Sequence, residues 1–206
     1  MDAKAWLDRW RGALSRAFRE PSRLGFEYPG TSDGALSKRI ASSSLNFMLA
    51  PLAESDAASL RALTDDPAIT ESISFLKSPF TLEDANRLIR ANLNLEDCFL
   101  GVRRRADRAL VAVIGAHMRG DATIEVGYWV GAAYQGQGYA TEALAALVAK
   151  IADIMPERQV IAECRPENIG SVRVLEKLGF ESTGASGVRP GRVVFALRPA
   201  GFVPPA

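Results

Sequence analysis

Two cysteines, one histidine and almost no excess charge are the scarcities that first limit what this 206-residue chain can be. Cys98 and Cys164 stand far apart with no metal-ligand spacing around them, so neither a disulfide framework nor a zinc site is expected, and a reducing compartment fits. Lys and Arg number 25 against 24 Asp and Glu, a balance that gives no electrostatic reason to expect nucleic acid or an anionic membrane as partner. The basic residues Arg103, Arg104, Arg105 and Arg108 cluster only around Ala106-Asp107 and read as a solvated hairpin tip. Nowhere do about eighteen apolar residues run together, and the first turns carry Asp2, Lys4, Asp8 and Arg9 in place of a leader's apolar stretch. The expectation is a cytoplasmic protein with no membrane span and no metal.

Phosphate-binding signatures of the commonest kinds are also missing. There is no Gly-Lys-Ser/Thr, which disfavours a nucleotide P-loop, and no complete Gly-x-Gly-x-x-Gly with an acidic residue about twenty positions on, which disfavours a dinucleotide fold. What is present is Tyr134-Gln135-Gly136-Gln137-Gly138-Tyr139-Ala140-Thr141-Glu142-Ala143-Leu144, a glycine-bearing turn running directly into an amphipathic helix. Gly136 and Gly138 allow positive φ and close approach of a ligand to the backbone. The first N–H groups of the helix then stay available to an oxygen anion, and the helix dipole adds to the attraction. A ligand-free loop is the simpler reading of this fragment alone.

Periodicity organises the rest. Residues 3–19 place Trp6, Leu7, Trp10, Leu14 and Phe18 at helical spacing, and residues 20–44 are rich in Gly, Ser and Pro, so 1–44 reads as an amphipathic helix and a linker arm preceding one domain over 45–200. Within that domain a strand is expected at Leu45 to Leu52, a short helix at Asp56 to Thr64, and a helix capped by Thr81 and Asp84 that carries Leu82, Ala85, Leu88, Ile89, Asn92 and Leu93. Cys98 to Arg104, Leu110 to Met118 and Thr123 to Val130 read as an antiparallel meander, the last two strands joined at Arg119-Gly120-Asp121. The helix after the glycine turn repeats apolar residues at i, i+3, i+4, i+7 and i+8 from Ala140 to Met155. A strand at Gln159 to Cys164, a helix through Ile169, Val172, Leu175 and Leu178 stopped by Gly179, a Gly-rich loop and a last strand at Arg192 to Leu197 complete an α/β (α+β) domain.

Gln135-x-x-Gly138-x-Ala140, with Glu125-Val126-Gly127-Tyr128-Trp129-Val130 before it and Asn168-x-x-Ser171 and Glu176-Lys177-Leu178-Gly179-Phe180 after it, resembles the GNAT superfamily of N-acetyltransferases, and within it the RimJ/RimL branch. The resemblance runs from about Leu45 to Leu197. It implies a mixed, mostly antiparallel sheet of six to seven strands flanked by helices, with two strands splayed apart to admit acetyl-CoA. It further implies that Gln135, Gly136, Gln137, Gly138, Tyr139, Ala140 and Thr141 hold the pyrophosphate, that backbone groups at Trp129 and Val130 grip the pantetheine arm, and that Asn168 steadies it. Tyr128 and Trp129 are equally readable as strand packing, and Asn168 as a helix cap.

An amine attacking a thioester must be neutral. A lysine near pKa 10.4 is neutral in only about one molecule in 2,500 at pH 7, an α-amine near 8 in roughly one in ten. The resemblance makes Glu125 the first candidate for general base, since it precedes the turn by about the distance at which some superfamily members carry a catalytic glutamate, and His117, expected nearly opposite it across the strand pair, is a candidate proton relay. The tyrosine that many relatives carry just before Glu-Lys-x-Gly-Phe is replaced by Leu175, which leaves Ser171, or a water held by Asn168, as proton donor. The expected function is transfer of acetyl from acetyl-CoA to a protein N-terminus or a small amine in a ternary complex, by a monomer or homodimer. The alternative is an acyl-CoA-binding module without turnover. The acceptor is expected to meet residues 65–80 and the loop 182–192.

Overall fold

The computed structural model describes residues 47–91, 97–120 and 122–198. The helix expected over 3–19 and the arm over 20–44 lie outside them, as do Leu45, Asn92, Leu93 and Asp121.

Seven strands form one sheet in the order β1-β2-β3-β4-β5-β7-β6. They are β1 Phe47–Pro51, β2 Asp97–Arg104, β3 Leu110–Arg119, β4 Thr123–Val130, β5 Gln159–Cys164, β6 Phe180–Ser186 and β7 Val193–Leu197. Among the described residues only β4 and β5 are parallel neighbours; every other pairing there is antiparallel. The crossover between β4 and β5 is the helix α4, Tyr139–Ile154. The remaining helices are α1 Ala57–Thr64, the single turn α2 Pro67–Thr70, α3 Leu82–Ala91 and α5 Ile169–Lys177.

Strand alternation divides the core in two. Ile124 and Val126 of β4 face α4, where Leu144, Leu147 and Ile151 are fully buried with them. Trp129 faces the other way, into a second apolar cluster with Leu60, Ile69, Phe80, Ala85 and Ile89 from α1, α2 and α3. Covering both faces of a sheet is how such a domain withdraws its apolar surface from water. Trp129 Nε1 donates to Thr64 Oγ1 at 3.0 Å, so the polar atom of this buried ring is satisfied and α1 is tied to β4.

Local signals hold where sequence and structure can be compared. Thr81 Oγ1 accepts from the Asp84 N–H at 3.1 Å while Asp84 Oδ2 accepts from the Thr81 N–H at 3.1 Å, the reciprocal capping box expected for α3. Gly179 takes φ 82° just past α5, which ends that helix. Two features differ from expectation. Phe180–Ser186, read as the start of a loop, is the edge strand β6, and Pro67–Thr70 is a short helix capped by Asp66, whose Oδ1 accepts from the Ala68 N–H at 2.8 Å. β6 escapes a periodic reading because only Phe180 is buried and its pairing with β7 shifts register between Ser182 and Ser186. Among the described residues no helix is long and apolar enough to cross a membrane.

Candidate active site

β4 and β5 pair at only three positions, Thr123 with Gln159, Ile124 with Val160 and Glu125 with Ile161. Beyond Glu125 the strands part. β4 continues against β3 as far as Val130, and β5 against β7 as far as Cys164, so each keeps one neighbour and loses the other. A cleft of about 1040 Å³ opens there, lined on the α4 side by Val126, Tyr128, Val130, Cys164, Asn168 and Ser171, and on the opposite face by Ile69, Phe75, Phe99, His117, Glu125 and Trp129. Backbone polar groups facing such a gap need a partner. An extended ligand carrying amides can supply one along its whole length.

At one end of the gap sits the glycine turn. Gly136 and Gly138 adopt φ 72° and 87°, and Gly138 is the N-cap of α4 with no side chain capping the first turn. The first N–H groups of a 16-residue helix are thereby left for a ligand, backed by its dipole. Gln135 Nε2 donates to the Val130 carbonyl at 3.2 Å and Gln137 Nε2 to the Ala133 carbonyl at 3.0 Å, so both glutamines brace the turn. Gln135, Gly136, Gly138, Tyr139, Ala140 and Thr141 line the cleft, whereas Gln137 does not; its amide is directed back at the preceding 3-10 turn. Gly138→Ala forces a side chain into the left-handed region, at a cost of about 1–2 kcal/mol. It is expected to lower the unfolding free energy by that amount and to weaken coenzyme A binding, both readable by urea unfolding and calorimetry. Unchanged affinity would remove the turn from the binding site.

On the face opposite α4, Glu125 is buried and held by two arginines. Its Oε2 accepts from Arg119 Nε at 2.8 Å and its Oε1 from Arg189 Nη1 at 2.5 Å. Arg189 Nη1 also reaches Glu163 Oε2 at 2.8 Å, and the two Glu163 oxygens accept from the Val188 and Arg189 N–H groups at 2.7 and 3.3 Å. Burial acts to raise the Glu125 pKa, but the hydrogen bonds and charges of Arg189 and Arg119 outweigh it and hold the carboxyl below its ordinary value. His117 stands directly across the β3–β4 ladder from Glu125 and is buried edge-on against Phe99, with ring centroids 4.9 Å apart. Phe99 in turn contacts Phe75 and Trp129 at centroid distances of 6.0 Å, which makes an aromatic wall beside the carboxylate.

On the α4 side, Tyr128 Oη lies 2.9 Å from Ser171 Oγ. Burial pushes the Tyr128 phenol up to about 12, against the Ser171 hydrogen bond, which acts downward. Asn168 caps α5, its Oδ1 accepting from the Ser171 N–H at 3.1 Å. The Asn168 amide nitrogen is not used in that cap, so the residue can serve both as cap and as ligand donor. Leu175 is buried at 1% exposure and contributes only an apolar floor. Cys164 is buried, and its Sγ donates to the Arg165 carbonyl at 3.2 Å, as befits a structural thiol.

Residues 46–181 match the family model of the acetyltransferase (GNAT) domain. The chain belongs to the GNAT acetyltransferase family. It is 35% identical over 107 residues to the uncharacterized N-acetyltransferase YnaD of Bacillus subtilis strain 168, a match covering 51% of this chain and 62% of that relative. The solved structure of a GNAT-family acetyltransferase from Bacillus anthracis superposes with a TM-score of 0.67 at 25% identity, over 75% of this chain and 96% of that one. The GNAT architecture is shared at 22% identity with Mycobacterium smegmatis RimJ, solved in complex with a coenzyme A disulfide, with a TM-score of 0.61 over 73% of this chain and 81% of that one.

Against this GNAT frame, the structure gathers Trp129, Val130, the turn residues other than Gln137, Asn168 and Ser171 around one cleft, with His117 and Glu125 on its far face. It also adds Tyr128 and Glu163, and brings Arg189 and Arg192 in from the loop expected to meet the acceptor. Tyr128, Glu163, Arg189 and Arg192 line the same cleft, and their partners are 25 to 120 positions away in the chain. For Tyr128 a signal did exist, since it sits two residues before Val130 in the strand that borders the gap; a hydroxyl there was readable as packing.

Proposed function

We propose that this protein is an N-acetyltransferase that passes an acetyl group from acetyl-CoA directly to a primary amine, either a protein N-terminus or a small molecule, in a ternary complex. The observation that carries the reading is the parting of β4 and β5 after Glu125, with an uncapped helix N-terminus at one end of the gap and an ionised, arginine-held carboxylate beside it. RimJ, which shares the fold, binds coenzyme A in its solved complex, which supports the same ligand class here.

Bound acetyl-CoA supplies an acyl carbon already activated as a thioester. The N–H groups of Tyr139, Ala140 and Thr141 are suited to its pyrophosphate, and the edge of β4 beyond Glu125, which β5 no longer pairs, to its pantetheine amides. A main-chain N–H of that edge stabilises the carbonyl oxygen as it gains charge. Glu125 presents a fixed negative charge on the acceptor face. Each of its oxygens has one arginine and retains a further lone pair, so the carboxylate can accept an N–H from the incoming ammonium and hold it in place. A carboxylate with a lowered pKa is a weaker proton acceptor, so His117, the buried imidazole across the ladder, is assigned to carry the proton away. Tyr128, protonated throughout the neutral range, donates to the departing sulfur with Ser171 hydrogen-bonded behind it.

Thiol release from acetyl-CoA in the presence of a panel of N-terminal peptides and small amines tests the reading, with coenzyme A affinity measured by calorimetry alongside. Release with at least one amine is expected. Tight binding without release for any of them would favour the acyl-CoA-binding module. Ser171→Ala removes one neutral hydrogen bond from Tyr128 and is expected to lower kcat by roughly 3- to 10-fold. Full activity in that variant would leave Tyr128 independent of Ser171.

A further inference from the structure

A row of alternating charges runs along the acceptor face: Arg119, Glu125, Arg189, Glu163 and then Arg192. Three cations face two carboxylates, and the geometry identifies the cation in excess. Both oxygens of Glu163 are taken by the Val188 and Arg189 N–H groups and by the Arg189 guanidinium. Arg192 reaches only the Glu163 main-chain oxygen, at 3.2 Å from Nη1, and the Ser72 main-chain oxygen, at 2.6 Å from Nη2. Among the described residues no carboxylate lies within 4.0 Å of it. A guanidinium has five N–H donors in a planar fork, so most of this one's capacity is unspent.

The surroundings make that excess costly. Arg192 is half-buried and lines the cleft. Burial lowers its pKa, and the neighbouring charges of Arg189 and Arg165 lower it further. Its Ser72 contact places it on the α2 side of the sheet, the face opposite the α4 N-terminus that is suited to pyrophosphate. Beside it stands an apolar surface that is open to solvent, with Phe75 half-exposed against Trp129 at a centroid distance of 6.3 Å.

We infer that the acceptor is an amine that also carries a carboxylate, which Arg192 binds, together with an apolar group that covers Phe75. This deepens the N-acetyltransferase reading and rests on it. The carboxylate gives Arg192 the counter-ion it lacks and takes up the open side of the guanidinium fork, while Glu125, further along the same row, holds the ammonium. A free apolar amino acid has this chemistry, and so does a peptide with an acidic residue next to its N-terminus.

The test compares matched acceptors on the intact protein. Phenylalanine and leucine are offered as free acids and as primary amides, and amidated tripeptides beginning Ala-Asp-Phe are offered beside Ala-Asn-Phe. A free carboxylate raises the pKa of the neighbouring amine, so the amides hold more neutral nucleophile and any preference for the acids is measured against that bias. The expected result is a kcat/KM for the carboxylate member of one pair that is roughly 10- to 100-fold above its amide, the range for a hydrogen-bonded charge. Preference among the free amino acids identifies a small-molecule acceptor, and preference among the tripeptides an acidic N-terminus; either supports the inference. Arg192→Gln should abolish the preference and leave coenzyme A affinity as in the parent, and Arg192→Lys, which keeps the charge without the fork, should retain part of it. Equal rates for acids and amides in every pair, a preference that survives Arg192→Gln, or a loss in that variant confined to coenzyme A binding would each overturn it. Acetyl transfer to no amine at all would overturn the transferase reading and this inference with it.

Discussion

Glu125→Gln is expected to lower kcat/KM by roughly 10- to 100-fold, the worth of a hydrogen bond to a charged group, and to do so without moving the pH at which activity rises. The structural reason is the pair of arginines. With Arg189 and Arg119 holding it below its ordinary pKa, the Glu125 carboxylate is ionised at every pH where the enzyme would be assayed, so the rise of rate with pH reports another group. The same substitution has a stability consequence whose sign follows from the direction of the shift. A carboxylate depressed in the folded state stabilises the fold above its unfolded pKa of about 4.3, and that contribution fades as pH falls through the lower folded value. Glu125→Gln should therefore be less stable than the parent at pH 7, by about 2 kcal/mol given that Arg119 and Arg189 are partly solvated, and the gap should be smaller at pH 3. Urea unfolding at the two pH values and a rate profile from pH 6 to 9 read both effects. A midpoint displaced by a full unit, with stability unchanged, would return Glu125 to the part of titrating base.

The contrast between Glu125 and its partners shows what local sequence can carry. Its position on β4 was readable, because alternation sets the strand and the turn at Arg119-Gly120 sets the register that brings His117 opposite it. The glycine turn was readable for the same kind of reason: positive φ at Gly136 and Gly138 and the onset of an amphipathic helix are properties of adjacent residues. Arg189 approaches Glu125 from 64 positions away, and Arg192 meets Ser72 across 120, through a loop bordered by an edge strand that has almost no buried face. No periodicity encodes such meetings. They follow from the sheet order, in which β7 and β6 come after β5 and bring their connecting loop over the gap. Chain position marks residues 65–80 and 182–192 as the acceptor's surroundings; the distances separate the arginine that neutralises carboxylates from the one that does not.

Tyr128→Phe is expected to reduce kcat by roughly 10- to 100-fold, the worth of a hydrogen bond to a charged group, with the KM for acetyl-CoA little changed. Leu175 occupies the position from which many relatives supply a tyrosine, and the structure puts a different phenol beside the same helix, on β4 and 2.9 Å from Ser171 Oγ. Magnitudes limit what this phenol can do. Its pKa of about 12 lies above that of an ordinary thiol near 8.5, so complete proton transfer to the thiolate is uphill by about 5 kcal/mol. A hydrogen bond that strengthens as the carbon–sulfur bond breaks faces no such penalty and acts only where charge develops. The substitution keeps the ring, so packing between β4 and α5 is preserved and the loss should appear in turnover ahead of stability. Two acyl donors with leaving thiols of different acidity separate this from a purely structural part: the deficit in Tyr128→Phe should shrink with the more acidic thiol, whose anion needs less help. A deficit of the same size with both donors would place Tyr128 in the scaffold of the cleft and leave the departing sulfur to water.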